Sequence, residues 1–215
     1  MHRRDASPVT HGRRSSRRVV GVVGTFDVAN FGDLLFPLIA EAELSRRLGP
    51  IEVRRYSHRP MASPPWPFAV DPISRLIETV DELELLVVGG GHLVRFDTTV
   101  APGYEAVESG IPHPGGYWLS PTIVAAAAGV PVAWNALGVS SGTPDWARPL
   151  LAQVVAAADY VSVRDGDSLA ELQAVSPTSA IRLVPDSAFG IQPVLDALDV
   201  TLPTASASRS ADDRT

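Results

Sequence analysis

The sequence predicts an α/β fold built on a doubly wound parallel sheet, a Rossmann-like arrangement. Six short apolar runs alternate with helix-like segments along the chain. Several of these runs end in glycine or small polar residues, as strands do when they turn towards a helix at the edge of a parallel sheet. A length of 215 residues, with 45% hydrophobic and 20% charged residues, suits one globular core with tails.

The first predicted unit is a strand, a turn and a helix. The strand is the apolar run Val19–Phe26, and the turn contains Asn30, Gly32 and Asp33. An apolar segment over Leu34–Leu48 follows and predicts a helix. This order places the polar residues of the turn at the carboxyl end of a strand, where open α/β sheets bind ligands.

The remaining elements repeat the alternation of strand and helix. Proline-rich residues 60–72 predict a loop, and residues 93–116, rich in glycine and proline, predict a long one. The other predicted strands are Ile51–Tyr56, Leu83–Val88, Val130–Leu137, Tyr160–Val163 and Ile181–Val184, and the other predicted helices are Ile73–Val80, Tyr117–Ala128, Pro144–Ala157 and Asp167–Val175. Right-handed crossovers then predict the sheet order 83–88, 51–56, 19–26, 130–137, 160–163, 181–184.

The pattern divides the chain into a domain and two tails. We expect a disordered, arginine-rich tail over residues 1–18, a Rossmann-like domain over residues 19–190, and a helix remnant with a disordered tail over residues 191–215. The apolar run after Arg18 is too short for an export signal and has no small-residue cleavage site. No run approaches the ~18 to 20 apolar residues of a membrane span. We therefore expect a cytoplasmic protein, free or at the inner face of the membrane.

Composition excludes several classes of chemistry. The chain has no cysteine and no lysine, because all 18 basic residues are arginine. Thiol nucleophiles, disulfides, a Walker-A lysine and a lysine-bound pyridoxal group are therefore excluded. No metal site is predicted, since His58 and His113 have no ligand-like spacing to His92. The net charge of -6, despite six arginines in residues 1–18, argues against a nucleic-acid partner.

Polar residues follow most of the predicted strands. Because parallel strands end at one edge, these residues are expected to gather there, and the predicted order puts the loops after 19–26 and 130–137 at the switch point. Asn, Asp and Ser are also the favoured helix caps. We favour capping for Asp165 or Asp167, and weigh capping and function equally for the turn residues. The predicted crevice contains Asn30, Gly32, Asp33, Gly138 and Ser140.

Three consecutive glycines, Gly89, Gly90 and Gly91, directly follow an apolar strand. They allow a ligand or another backbone to approach closely, and their amides could hold an anion. His92 either donates to the same ligand or lines a half-buried loop. Arg164 either holds a carboxylate or phosphate, or pairs with Asp165 or Asp167. The spacing Gly21-x-x-Gly24 lacks the dinucleotide fingerprint, so a classical NAD site is not predicted.

Five segments, in this order, resemble the polysaccharide pyruvyl transferase family. They are Gly21–Gly24 with Asn30–Asp33, Val87–Gly91, Ala136–Gly138, Val161–Asp165 with Ser168 and Leu169, and Val184–Phe189. The resemblance implies an enzyme of cell-surface polysaccharide biosynthesis that moves pyruvate from phosphoenolpyruvate onto two sugar hydroxyls as a ketal. It implies no cofactor beyond this donor substrate. The implied acceptor is a sugar or a lipid-linked saccharide.

The resemblance also implies roles for particular residues. Asp33 and His92 become the catalytic candidates, with Asp33 orienting or deprotonating the acceptor. Arg164 would support its loop or meet the anionic donor. The implied substrate-binding residues are Asn30, Gly32, Gly89, Gly90, Gly91, Ser140, Arg164 and Asp186.

Family members resemble two-domain glycosyltransferases of the B type (GT-B), and this chain covers their N-terminal half. The half that would supply most donor-binding cations is not included, so we expect a truncated enzyme that needs a separate C-terminal half or a second copy. Two alternatives remain open. One is a catalytically incomplete sugar- or anion-binding module, and the other is an unrelated Rossmann-like nucleotide-binding enzyme.

Overall fold

The computed structural model describes residues 17–96 and 114–197. Within these residues, seven strands form one parallel sheet and six helices flank it, which confirms the predicted α/β class. The strands are β1 (Arg18–Val23), β2 (Ile51–Ser57), β3 (Asp71–Pro72), β4 (Leu85–Gly89), β5 (Val132–Leu137), β6 (Tyr160–Val163) and β7 (Ile181–Leu183). The helices are α1 (Phe31–Leu48), α2 (Leu76–Thr79), α3 (Pro114–Ala127), α4 (Arg148–Ala157), α5 (Gly166–Val175) and α6 (Gln192–Ala197).

The strand order differs from the predicted one. The sheet runs β3-β2-β1-β4-β5-β6-β7, so β4 pairs with β1 and β5 instead of lying beyond β2. The edge position beside β2 belongs to β3, two residues at the end of the stretch predicted to be a loop. Proline is tolerated in such an edge strand because one side of it makes no ladder bonds. The prediction was wrong because this strand is too short to leave a periodic signal.

The corrected order moves the switch point. It lies between β1 and β4, where successive crossovers leave in opposite directions along the sheet. The loop after β1 therefore faces the glycine-rich loop after β4, and the loop after β5 is one strand further away. The predicted pairing of the loops after 19–26 and 130–137 at this point is thus corrected.

Helices pack on both faces of the sheet. Alternate residues of β4 point to opposite faces, so Val87 joins the core under α1 while Val88 joins the core under α3 and α4. Trp134 is fully buried in the second core and donates its indole N–H to the hydroxyl of Thr122 at 2.9 Å. Two-sided burial explains why the central strands read as continuous apolar runs.

Helix boundaries shift modestly from the predicted ones. α1 begins at Phe31 rather than Leu34, and α4 begins at Arg148, which places Pro149 in its first turn. Of the predicted tails, residues 1–16 and 198–215 lie outside the described residues, whereas Arg18 opens β1. Across residues 17–96 and 114–197, none of the helices combines the length and apolarity needed to cross a bilayer.

Candidate functional site

The start of α1 forms one wall of the site. Asn30 is the N-cap residue, and its side-chain oxygen accepts a hydrogen bond from the backbone N–H of Gly32 at 3.0 Å. An amide oxygen here satisfies one of the free N–H groups in the first turn of a helix. The capping interpretation of Asn30 is therefore confirmed. The same turn places Asp33 inside α1, one residue after Gly32, on the side of the β4 loop.

Asp33 is a half-buried carboxylate at the switch point. A Cβ atom added to Gly91 would lie 2.8 Å from its Oδ1 and 3.8 Å from Oγ1 of Thr25, so the absence of a side chain at Gly91 makes room for Asp33. Burial raises the pKa of Asp33 to about 6, although a hydrogen bond from Thr25 and the charge of Arg164 lower it in part. A carboxyl with this pKa can take or give a proton near neutral pH.

The glycines after β4 let α1 approach the end of the sheet. A Cβ atom on Gly89 would lie 2.4 Å from Cζ of Phe36, and one on Gly90 would lie 2.7 Å from Cβ of Phe36. Gly90 also has φ +85°, a conformation that side chains rarely adopt. At Gly89 and Gly90 the Phe36 side chain takes up this space, where a ligand or another backbone was expected. This packing brings Asp33 onto Gly91.

Hydrogen bonds join the loop after β4 to the loop after β5. His92 Nε2 and Ser140 Oγ share a hydrogen bond of 2.8 Å, and the backbone N–H of Gly138 donates to the carbonyl of Gly91 at 3.0 Å. Gly138 lies beneath the imidazole, since a Cβ atom there would be 2.7 Å from its Nδ1. The structure thus brings together His92 and Ser140, two candidates that are 48 positions apart.

Arg164 lies among carboxylates. Its Nη1 is 2.8 Å from Oδ2 of Asp186, and its Nε is 3.8 Å from Oδ2 of Asp165. Asp165 caps α5 by accepting from the backbone N–H of Ser168 at 2.8 Å, as predicted, and Asp186 accepts from the N–H of Ala188 at 2.9 Å. Pairing with Asp165 was one of the two interpretations of Arg164. The shorter ion pair with Asp186 was not foreseen.

A cleft of about 540 Å³ opens beside His92. Its wall consists of His92, Phe96, residues 139–144, Asp165 and Asp167. Burial raises the pKa of Asp165, but hydrogen bonds from Ser168 and the charges of Arg164 and His92 outweigh it and leave the pKa below its usual value. The cleft therefore holds an ionised carboxylate at neutral pH.

A family model described as polysaccharide pyruvyl transferase matches residues 30–213. The chain belongs to the polysaccharide pyruvyl transferase family. The match starts at the N-cap of α1 and includes the later segments on which the resemblance was based, 87–91, 136–138, 161–165 and 184–189. The resemblance stated from the sequence is thereby confirmed.

Other comparisons add little to this assignment. No match is found among curated proteins. Among solved structures, an AraC family transcriptional regulator from Pseudomonas putida is similar, with 16% identity, a TM-score of 0.44, and coverage of 85% of this chain and 90% of that chain. A likeness this distant bears on neither fold nor function.

Two residues that position the site of this pyruvyl transferase family member were not among the predicted ones. Thr25 is the hydroxyl partner of Asp33. Asp27 has a fully buried side chain that accepts from the hydroxyl of Ser57 at 2.5 Å and from Nε of Arg59 at 3.2 Å, which ties the loop after β1 to β2. The available signal for Asp27 was a charged residue directly after the apolar run 19–26. Thr25 left none.

The raised pKa of Asp33 predicts a pH-dependent stability. Between its ordinary value of 3.8 and about 6, the folded state holds a proton that the unfolded chain has lost. The free energy of unfolding should therefore fall as pH rises through this window, and Asp33→Asn should remove that fall. Urea denaturation at pH 4 to 8 measures it, with the exposed Asp81→Asn as control. Identical pH profiles for Asp33→Asn and the wild type would contradict the burial of this carboxyl.

Proposed function

We propose that the chain is the acceptor-side half of a polysaccharide pyruvyl transferase acting in cell-surface polysaccharide biosynthesis. Family membership implies a sugar acceptor and a phosphoenolpyruvate donor. The observation that carries the proposal is the half-buried Asp33, with a pKa raised to about 6, at the carboxyl edge of the sheet. No cofactor is required. The proposed acceptor domain spans residues 19–190, with flanking segments 1–18 and 191–215.

The reaction joins two acceptor hydroxyls to one carbon of the donor. Both hydroxyl oxygens bond to C2 of phosphoenolpyruvate, and the C2–O bond to phosphate breaks. Of the two hydroxyl protons released, one goes to C3, which becomes a methyl group, and the other leaves with phosphate. A group that accepts a hydroxyl proton and a group that protonates carbon are therefore needed.

Asp33 suits the first of these tasks. A carboxyl that titrates at about 6 is largely ionised at neutral pH yet is basic enough to take a proton from a bound hydroxyl. His92 is the second catalytic candidate, because its hydrogen bond to Ser140 orients the imidazole beside the cleft. Asn30 and the amides of the loop after β4 would hold polar groups of the substrates. This assignment includes Gly32, Gly89, Gly90 and Gly91 among the substrate-binding residues.

The donor anion requires positive charge. Arg164 already pairs with Asp186 and approaches Asp165. Its main role in the proposal is therefore to join the loops after β6 and β7 and to lower the pKa of Asp33. Most donor-binding cations would then come from a second Rossmann-like half facing this one, in a GT-B-type arrangement. The proposal places the reaction in the cytoplasm, at the inner face of the membrane for a lipid-linked acceptor.

Phosphate release tests this proposal. We expect release of phosphate from phosphoenolpyruvate only when a sugar acceptor is present, measured for the chain alone and for the chain mixed with a second Rossmann-like half from a family member. Saturable sugar binding without release in either mixture would replace the proposal by the binding-module alternative. Saturable NAD(P) binding without sugar binding would instead indicate an unrelated nucleotide-binding enzyme.

A further inference from the structure

Asp27 is a buried carboxylate that the proposed reaction does not use. Its side chain is fully buried, and both of its oxygens accept hydrogen bonds. Oδ1 accepts from the hydroxyl of Ser57 at 2.5 Å, and Oδ2 accepts from the backbone N–H and Nε of Arg59 at 3.1 and 3.2 Å. An asparagine could accept on only one of these two sides. The position therefore requires a carboxylate, although a buried charge is costly.

Ser57 links Asp27 to the residue before it in the chain. The hydroxyl that donates to Asp27 also accepts from the backbone N–H of Phe26 at 3.1 Å. The carbonyl of Phe26 accepts from the indole N–H of Trp66 at 2.8 Å, and its ring stacks on Phe36 with centroids 6.3 Å apart. Polar contacts with the end of β2 and an aromatic contact with α1 thus fix residues 26 and 27.

Thr25 precedes this fixed pair and meets the carboxylate of Asp33. A Cβ atom at Gly91 would lie 3.8 Å from Oγ1 of Thr25 and 2.8 Å from Oδ1 of Asp33, so both oxygens face the same glycine. Burial raises the pKa of Asp33, and the described groups that lower it are Thr25 and Arg164. The charge of Asp27 is not among them. Any influence of Asp27 on Asp33 therefore passes through the loop that carries Thr25.

We propose that Asp27 is a positioning residue for the catalytic carboxylate. Through Ser57 and Phe26, it holds the loop after β1 so that the hydroxyl of Thr25 donates to Asp33. The inference rests on the proposed function, because that function makes Asp33 the base. Without the hydrogen bond the carboxylate would bind its proton more tightly, and fewer molecules would hold an ionised base near neutral pH.

Asp27→Asn separates positioning from a purely structural role. Loss of the bond from Thr25 would raise the pKa of Asp33 further above about 6, whereas a loosened and hydrated loop would lower it towards 3.8, because burial is the main cause of the raised value. NMR titration of the Asp33 carboxyl carbon in the full chain measures the direction, with the signal assigned by its loss in Asp33→Asn. We expect tighter proton binding in Asp27→Asn and in Thr25→Val, by up to ~10-fold for one hydrogen bond to a charged group.

A double variant tests whether Asp27 acts through Thr25. Asp27→Asn combined with Thr25→Val should titrate where Thr25→Val alone does, because no hydrogen bond is left for the second change to weaken. A higher midpoint in the double variant would contradict this route. Ser57→Ala removes the link between Asp27 and Phe26 but leaves the carboxylate paired with Arg59. It should also shift the titration to higher pH, and it decides the question if Asp27→Asn fails to fold.

The matched control is Thr122→Val, which removes a buried hydrogen bond to Trp134 in the core under α3 and α4. It should lower the stability without moving the titration of Asp33. A midpoint that stays at the wild-type value or falls in Asp27→Asn and Ser57→Ala would overturn the inference, whether or not phosphate is released. Raised midpoints without phosphate release by any form would support the placement of the loop by Asp27 and overturn the transferase.

Discussion

Replacing Asp33 by Asn is expected to lower turnover by ~10²-fold or more in an active form of the enzyme. Asparagine keeps the shape of the side chain but cannot take a proton from the acceptor hydroxyl. Stopped assays of phosphate release over pH 5 to 8 measure the effect. The wild type should lose activity below about 6, where Asp33 becomes protonated, and the variant should lack this limb.

The partner hydroxyl offers an internal control for this assignment. Thr25 donates a hydrogen bond that lowers the pKa of Asp33, so Thr25→Val should move the acidic limb to higher pH. Asp81→Asn, at an exposed position, should retain the wild-type rate. Near-full activity of the Asp33→Asn variant would contradict the assignment of this carboxylate as the base.

Gly90→Ala is expected to destabilise the fold by roughly 2 to 4 kcal/mol, combining left-handed strain and overpacking. The residue has φ +85°, and the new Cβ atom would lie 2.7 Å from three carbon atoms of Phe36. Chemical denaturation in urea measures the loss. Because α1 rests on this glycine, the contact between Asp33 and Gly91 should loosen at the same time.

A second glycine isolates the two causes. Gly129 has φ +73° but nothing within 4 Å of an added Cβ atom, so Gly129→Ala should lose only ~1 to 2 kcal/mol from strain. Phe36→Leu should recover part of the loss in a double variant with Gly90→Ala, since the two residues touch. Equal losses at both glycines would show that the clash with Phe36 is unimportant.

Much of the fold followed from local patterns. The apolar runs at 19–26 and 83–88 predicted strands, and β1 and β4 lie there, because burial on both faces leaves few polar residues in central strands. A cap at Asp165 or Asp167 was also predicted, because aspartate is a favoured N-cap residue, and the structure assigns it to Asp165. The strand order did not follow, because one edge strand has only two residues and a proline.

The candidate site was only partly visible in the sequence. The polar residues after the strands were recognised because parallel strands end at one edge. Their partners were not recognised: Thr25 for Asp33 and Asp186 for Arg164. The first pair spans one turn and the second joins two loops 22 positions apart, and no spacing rule encodes either contact.

Short-range information was therefore sufficient for the α/β class, for the family and for the residues that follow each strand, since these depend on periodicity and on residue types at set positions. Long-range packing was needed for three further features. It placed β4 beside β1, pressed Phe36 onto Gly90, and buried Asp33 enough to raise its pKa to about 6. The pKa of a buried carboxyl depends on its exposure to solvent and on the charges near it. Both are set only when the sheet forms and brings the loops together.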